Sequence, residues 1–247
     1  MPIPSSPLAV FDSGMGGLTV LERLQKKFPQ ESFVYLGDTA RLPYGTKSAD
    51  TVRHYAVQMA DRLMAYRPKA MVIACNTASA MGLDAVRDHV GDIPVIGMID
   101  PAARAAVRST RNGCIAVLGT HGTVRSRAYH TAIERLNPDL KVQAFACPLL
   151  VPLAEEGWVD HPATRDILET YLAPLLMDRA RPDTVILGCT HFPVFFASAD
   201  TNVTRGTFYP LWRHRGRGPG PIQPVVGPRP LHSGEGGRVP DRPGPGI

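Results

Sequence analysis

The sequence predicts an α/β fold of two similar lobes, each a mostly parallel sheet flanked by helices, followed by a disordered C-terminal tail. Three observations carry this expectation. Short apolar runs alternate with segments of helical spacing through the first 196 or so residues, the pattern of parallel strands covered by helices. Two stretches recur at similar offsets: AVFDSGMGG (Ala9–Gly17) resembles AVLGTHGT (Ala116–Thr123), and VIACNT (Val72–Thr77) resembles VILGCTH (Val185–His191). Beyond residue 204 the composition changes abruptly.

Taken in order, Leu8–Phe11 is the first strand and runs into a Gly-rich turn, DSGMGG. Leu18, Leu21 and Leu24 repeat at helical spacing, and Phe33–Leu36 is the second strand. Val52, Tyr55, Ala56, Met59 and Leu63 mark one face of the next helix. Ala70–Cys75 is a strand, after which Thr77 is expected to cap a helix. Val95–Met98, Ile115–Leu118, Val142–Phe145 and Thr184–Leu187 complete the strands. Pro174 and Pro182 are expected to limit a helix beginning near His161. Many of these runs end in Gly, Asp, Asn or Thr, as strands entering loops do, and α/β folds gather their binding residues at such ends. After residue 205 neither period persists, and RHRGRGPGPIQP has too much Gly and Pro to continue a helix or a central strand.

The boundaries follow: residues 1–99 form the first lobe, 100–196 the second, and 197–247 an Arg/Gly/Pro-rich tail. At 247 residues and 44 % hydrophobic, the chain has room for a sizeable core. That composition excludes a collagen-like fibre, a disulfide mini-scaffold and a wholly disordered chain. The net charge of +5 sits in the tail, where residues 205–247 hold seven Arg against two acids; residues 1–204 balance to zero. The same tail holds nine Pro and ten Gly. The basic balance therefore says little about the folded part. No apolar run approaches the ~18 residues of a membrane span, and the start shows no signal-peptide pattern. Four widely spaced cysteines without a C-x-x-C pair suggest reduced thiols and a cytoplasmic protein.

Two of those cysteines stand at strand exits among polar neighbours: Cys75 in ACNTAS and Cys189 in GCTHFP, with His191 two residues on. Cys114 and Cys147 read as small buried hydrophobes. A thiol at a helix start has its thiolate favoured by backbone N–H groups and the helix dipole, and both sites are expected to have that setting. Two cysteines on matched lobes suit inversion of a stereocentre, which needs a base on one face of a carbon and an acid on the other. A structural zinc site fits less well, because only Cys189 and His191 are close in sequence. A Cys–His hydrolase would leave Cys75 idle. Asp12 and Ser13 sit where the first strand meets its Gly-rich turn. The carboxylate there either caps the helix or faces a cleft, where it could hold an ammonium group or assist a thiol. The phosphate-loop patterns are absent.

DSGMGG, YLGDTARLPYG, ACNTAS, LGTHGTVRS and LGCTHFP, in this order and spacing, closely resemble the cofactor-independent aspartate/glutamate racemases. GCTHFP together with PYG is similar to the glutamate branch. The match runs over roughly residues 8–194. The resemblance implies an active site between two lobes, with no pyridoxal phosphate and no metal. It implies that Cys75 and Cys189 are the two acid/bases that interconvert L- and D-glutamate, supplying D-glutamate for peptidoglycan. Asp12 would assist Cys75; His191 and Glu155 would assist Cys189, with the adjacent Glu156 as the competing carboxylate. Asp12, Ser13, Tyr44, Gly45, Asn76, Thr77, Thr190 and His191 would hold the substrate's carboxylates and ammonium, with Thr120 and Thr123 in lesser roles. The expected partner is glutamate and, through the resemblance, a second copy of the chain; neither membrane nor nucleic acid is expected.

After about Val194 the resemblance stops, and a shifted reading frame is the simplest account of the Arg/Gly/Pro-rich sequence. Loss of the family's closing strand–helix units should uncover apolar sheet at Ala70–Cys75 and Val95–Met98. Several hundred Å² at ~25 cal/mol per Å² is on the order of 10 kcal/mol, comparable to a whole domain's stability. The competing readings are thus an inactive or unstable racemase-like fragment, and a racemase of a related acidic amino acid such as aspartate.

Overall fold

The computed structural model describes residues 6–177, 181–196 and 223–225. Its first part alternates β1 (Leu8–Asp12), α1 (Leu18–Lys27), β2 (Phe33–Gly37), α2 (Ala49–Met64), β3 (Ala70–Ile73), α3 (Asn76–Val90) and β4 (Val95–Gly97). Its second part runs α4 (Ile99–Ser109), β5 (Cys114–Gly119), α5 (His121–Ser126), α6 (Ala128–Leu136), β6 (Lys141–Ala146), α7 (Leu150–Glu155), α8 (Pro162–Met177), β7 (Thr184–Gly188) and β8 (Gln223–Val225). All seven apolar runs expected as strands are strands.

The strands form two sheets of the same order, β2-β1-β3-β4 and β6-β5-β7-β8, and every pairing is parallel. The sequence repeats fall on equivalent strands, β1 with β5 and β3 with β7. Register aligns the strand ends: Asp12 pairs with Gly37, and Gly119 pairs with both Ala146 and Gly188. The loops that follow these ends therefore open on the same side of each sheet.

Helix α2 shows why the sequence packs as it does. The Ser48 hydroxyl accepts the Thr51 N–H at its start, and Val52, Ala56, Met59, Ala60 and Leu63 are buried along one stripe. That stripe joins Phe11, Met71, Ile73 and Val86 in the first core. On the other sheet face, Val10, Val72 and Ala74 lie under Val20, Leu21 and Leu24 of α1. The expected uncovering of apolar sheet is largely corrected: residues 71–75, Val95 and Met98 are buried, and only Ile96 of β4, 49 % exposed, stays open in these runs. Ala116, Leu118, Leu168, Leu172, Leu187 and Phe192 centre one core of the second sheet; Ile115, Val117, Ile133 and Ile186 centre the other.

Four further expectations are corrected. Cys75, not Thr77, caps α3, its Sγ accepting the Ala78 N–H at 3.4 Å. Pro174 lies inside α8 rather than ending it. Cys189 is not at an α-helix start; a single 3-10 turn, Phe192–Phe195, follows it. Finally, Gln223–Val225 form a strand beside β7, within the segment expected to lack one. The position is the sheet's end, and Pro224 is tolerated there because an edge strand can leave one side of its backbone unpaired. The expected disorder of the rest of 197–247 lies outside the described residues.

Candidate active site

A cleft of about 360 Å³, open mouth included, lies between loops of the two sheets. The β1–α1 turn contributes Ser13 and Gly14, the β2–α2 loop Leu42–Gly45, and the β3–α3 turn Cys75, Asn76 and Thr77. From the second sheet come Thr120, then Val151 and Glu155 of α7, then Cys189, Thr190 and His191. Of the residues expected at the site, Asp12 and Thr123 stand behind this lining rather than in it. Glu155 lines the cleft, whereas Glu156, the exposed C-cap of α7, does not.

Cys75 is 6 % exposed at the end of the first core. Burial pushes its thiol up to about 11, and the nearby Asp12 charge adds to this, against N–H donation from Ala78 and both N–H and O–H donation from Ser13. The expectation of a favoured thiolate is thus corrected: removal from water outweighs the helix terminus. Cys189, 7 % exposed, is raised further, again chiefly by burial, against the His191 N–H that points at its sulfur. Burial thus favours the thiol form of both groups.

The polar groups behind the two sulfurs differ. Asp12 is fully buried; its Oδ2 accepts the Gly14 N–H at 3.0 Å, and its Oδ1 accepts from the Thr190 hydroxyl at 3.5 Å. Burial raises its pKa, countered by loop N–H groups and by His191. On the other side, His191 Nδ1 lies 3.7 Å from Cys189 Sγ. Its Nε2 is 3.2 Å from Glu155 Oε1, an ion-pair distance without hydrogen-bond alignment. A carboxylate–imidazole–thiol series therefore runs along the second side of the cleft.

Hydroxyls bridge the sheets. Thr77 Oγ1 lies 2.9 Å from Thr120 Oγ1 and 3.1 Å from Thr123 Oγ1, and the latter two are 3.2 Å apart. Gly45 makes this approach possible, since a Cβ there would come 2.4 Å from the Thr120 Cβ. Its neighbour Tyr44 is buried, and its hydroxyl donates to Asp38 Oδ2 at 2.5 Å. Arg41 Nε is 2.6 Å from the same oxygen, and the guanidinium stacks 4.2 Å over the Tyr55 ring. Tyr44 thus forms wall and holds the loop. Asp38 and Arg41 were not singled out from the sequence, although both lie within YLGDTARLPYG. Tyr129, whose hydroxyl donates to Asn76 Oδ1 at 2.7 Å, lies outside every motif.

Chemically the cleft offers two thiols, each with its own proton-handling neighbours, amid hydroxyl and amide donors suited to carboxylates. Among the described residues no group of three or more His, Cys, Asp or Glu is arranged to hold a metal ion, and no helix is long and apolar enough to cross a membrane.

The chain is 50 % identical over 192 residues to a glutamate racemase from Geobacter metallireducens, covering 78 % of this chain and 70 % of that protein. It superposes on a crystal structure of glutamate racemase isoform RacE1 from Bacillus anthracis with a TM-score of 0.73 at 42 % identity, over 76 % of this chain and 70 % of that one. A glutamate racemase from Francisella tularensis, crystallised in complex with D-glutamate, gives a TM-score of 0.73 at 37 % identity, over 78 % and 71 % of the two chains. The Asp/Glu/Hydantoin racemase family model matches residues 18–207. Fold, cleft and sequence therefore agree that the chain belongs to the Asp/Glu/Hydantoin racemase family.

Proposed function

We propose that this racemase interconverts L- and D-glutamate by proton transfer at the α-carbon, with Cys75 and Cys189 as the two acid/bases, and so supplies D-glutamate for peptidoglycan. One observation carries the reading: two cysteines at equivalent strand ends of two like sheets line one cleft. In each turnover one sulfur, as thiolate, takes the α-proton from one face of the carbon. The electron pair left behind is delocalised into the α-carboxylate, and the other thiol delivers a proton to the opposite face. The cysteines exchange roles when the direction reverses.

In this reading Ser13, Asn76, Thr77, Thr120 and Thr190, with the Gly45 N–H, hold the two carboxylates, and Thr123 steadies Thr77 and Thr120. Asp12 assists on the Cys75 side. His191, backed by Glu155, takes up and returns the Cys189 proton. Because burial favours the protonated form of both thiols, ionisation accompanies binding, when the substrate's ammonium adds a positive charge beside the sulfur. Residues 1–99 and 100–196 are the two lobes. A homodimer rests on the resemblance, and a cytoplasmic location on the widely spaced cysteines without a C-x-x-C pair.

The test is racemisation of L-glutamate in heavy water. D-glutamate should appear carrying deuterium at Cα, and glutamate should be turned over far better than aspartate. Absence of α-deuterium in the product would overturn the proton-transfer mechanism, and comparable rates on aspartate would overturn the choice of substrate.

A further inference from the structure

We infer that Tyr129 is a positioning residue that fixes the sense of the Asn76 carboxamide, presenting its N–H groups to a substrate carboxylate. This rests on the reading of Asn76 as a carboxylate-holding residue. Tyr129 is the second residue of α6, just beyond Arg127, whose φ of 55° breaks the chain direction between α5 and α6. Its ring is 2 % exposed. It packs over Gly188, where an added Cβ would come 3.2 Å from Tyr129 Cε2 and 2.8 Å from the Leu118 carbonyl oxygen. The ring thereby passes over the end of β7, and its hydroxyl donates to Asn76 Oδ1 at 2.7 Å. Gly188 immediately precedes Cys189, and Asn76 immediately follows Cys75. One side chain thus touches both cysteine-bearing turns.

The chemistry of the amide gives that contact its consequence. A carboxamide has an acceptor end and a donor end, and a carboxylate only accepts. An Asn76 turned the wrong way would set oxygen against oxygen. Among the described residues, Asn76 Oδ1 is the acceptor given to the Tyr129 hydroxyl, and a buried phenol that donates to nothing forfeits a hydrogen bond. Donation to Oδ1 therefore leaves Nδ2 for the cleft that Asn76 lines. Burial, and then the charge of a Cys189 thiolate, holds the Tyr129 phenol above its ordinary range, so it remains a donor throughout the cycle.

The experiment is a double-mutant cycle on the full chain with steady-state kinetics on glutamate. Tyr129→Phe, which removes one oxygen, should raise KM about 10-fold with kcat changed by less than ~3-fold, the signature of lost uniform binding. Asn76→Ala should raise KM at least as much, and adding Tyr129→Phe to it should raise KM no further. Incorporating 3-fluorotyrosine at position 129, which keeps the hydroxyl, should preserve the wild-type KM. Additive effects in the cycle, a lowered Tm with unchanged KM in Tyr129→Phe, or a KM rise with fluorotyrosine equal to that with Phe would each overturn the inference. An unchanged KM in Asn76→Ala would overturn the reading of Asn76 itself.

Discussion

Cys75 and Cys189 stand at equivalent strand ends in sheets of the same order, yet their surroundings are not copies. Cys75 caps a 15-residue helix, and the Ala78 N–H, the Ser13 N–H and the Ser13 hydroxyl point at its sulfur. Cys189 precedes one 3-10 turn and has an imidazole 3.7 Å away with a carboxylate behind it. The topology repeats because strand order and loop side are backbone properties, which tolerate different side chains. The chemistry diverges because each thiol must be ionised from its own buried start. Backbone donors, a serine and the buried Asp12 serve one side, and a histidine backed by Glu155 serves the other.

The comparison can be broken most directly at the sulfurs. Cys75→Ser and Cys189→Ser should each lower racemisation by about 10³-fold or more, since a hydroxyl is far harder to ionise than a thiol. A variant retaining a tenth of the activity would show that its cysteine is not an acid/base. His191→Asn sharpens the comparison. It should lower turnover by about 10²-fold and alter the two sides unequally. L- and D-glutamate have equal free energies, so kcat/KM must stay equal in both directions. The asymmetry should therefore appear in the α-deuterium isotope effect, which should change for one enantiomer only. Equal changes for both would remove the distinction between the two sides.

Alkylation measures the resting sulfurs. With the Cys75 thiol raised to about 11, its modification without added substrate should climb roughly tenfold per pH unit through pH 9 and 10 without a plateau. Peptide mapping at each pH reads this, and a plateau below pH 9 would mean that the Ser13 and Ala78 donors outweigh burial after all.

The smallest expected effect concerns the strand bases. Lys69 pairs with Glu31 just before β3, whereas at β7 Asp183 accepts from the Thr110 hydroxyl and the Arg111 and Asn112 N–H groups at 2.7–2.9 Å. Burial opposes ionisation of Asp183, but these donors win and its pKa is lowered. Its contribution is therefore present above the ordinary Asp value near 3.8 and is lost as pH falls through the lower folded value. Asp183→Ala should cost about 1–2 kcal/mol at neutral pH by urea unfolding, and the gap from wild type should narrow below pH 3.8. A gap that stays constant down to pH 2 would separate Asp183's ionisation from its structural role.

Much of the site was legible in the sequence because its residues sit beside features with strong local signals. The apolar runs that end at Asp12, Cys75, Gly119 and Cys189 are buried parallel strands, and the turns after them had to carry the polar chemistry. His191 was marked by its place two residues after Cys189, whereas Glu155, in none of the motifs, came only from the family resemblance. What failed was local inference on borderline signals. Pro174 is accommodated within α8, three-residue β8 is held by β7 rather than by its own propensity, and the Cys75 cap lies two residues earlier than Thr77 suggested.

The sequence alone determined the strand–helix alternation, the repeat of two sheets and the residue types at their ends, because hydrophobic period and turn chemistry are written locally. Tertiary structure decided the rest. It put Asp12 behind the cleft wall and Glu155 in it, engaged the Tyr44 hydroxyl with Asp38, and brought Tyr129 over Gly188 to Asn76, 53 positions away. It also decided that burial raises both thiols, since desolvation depends on everything packed around a sulfur, and no neighbour in the chain records that.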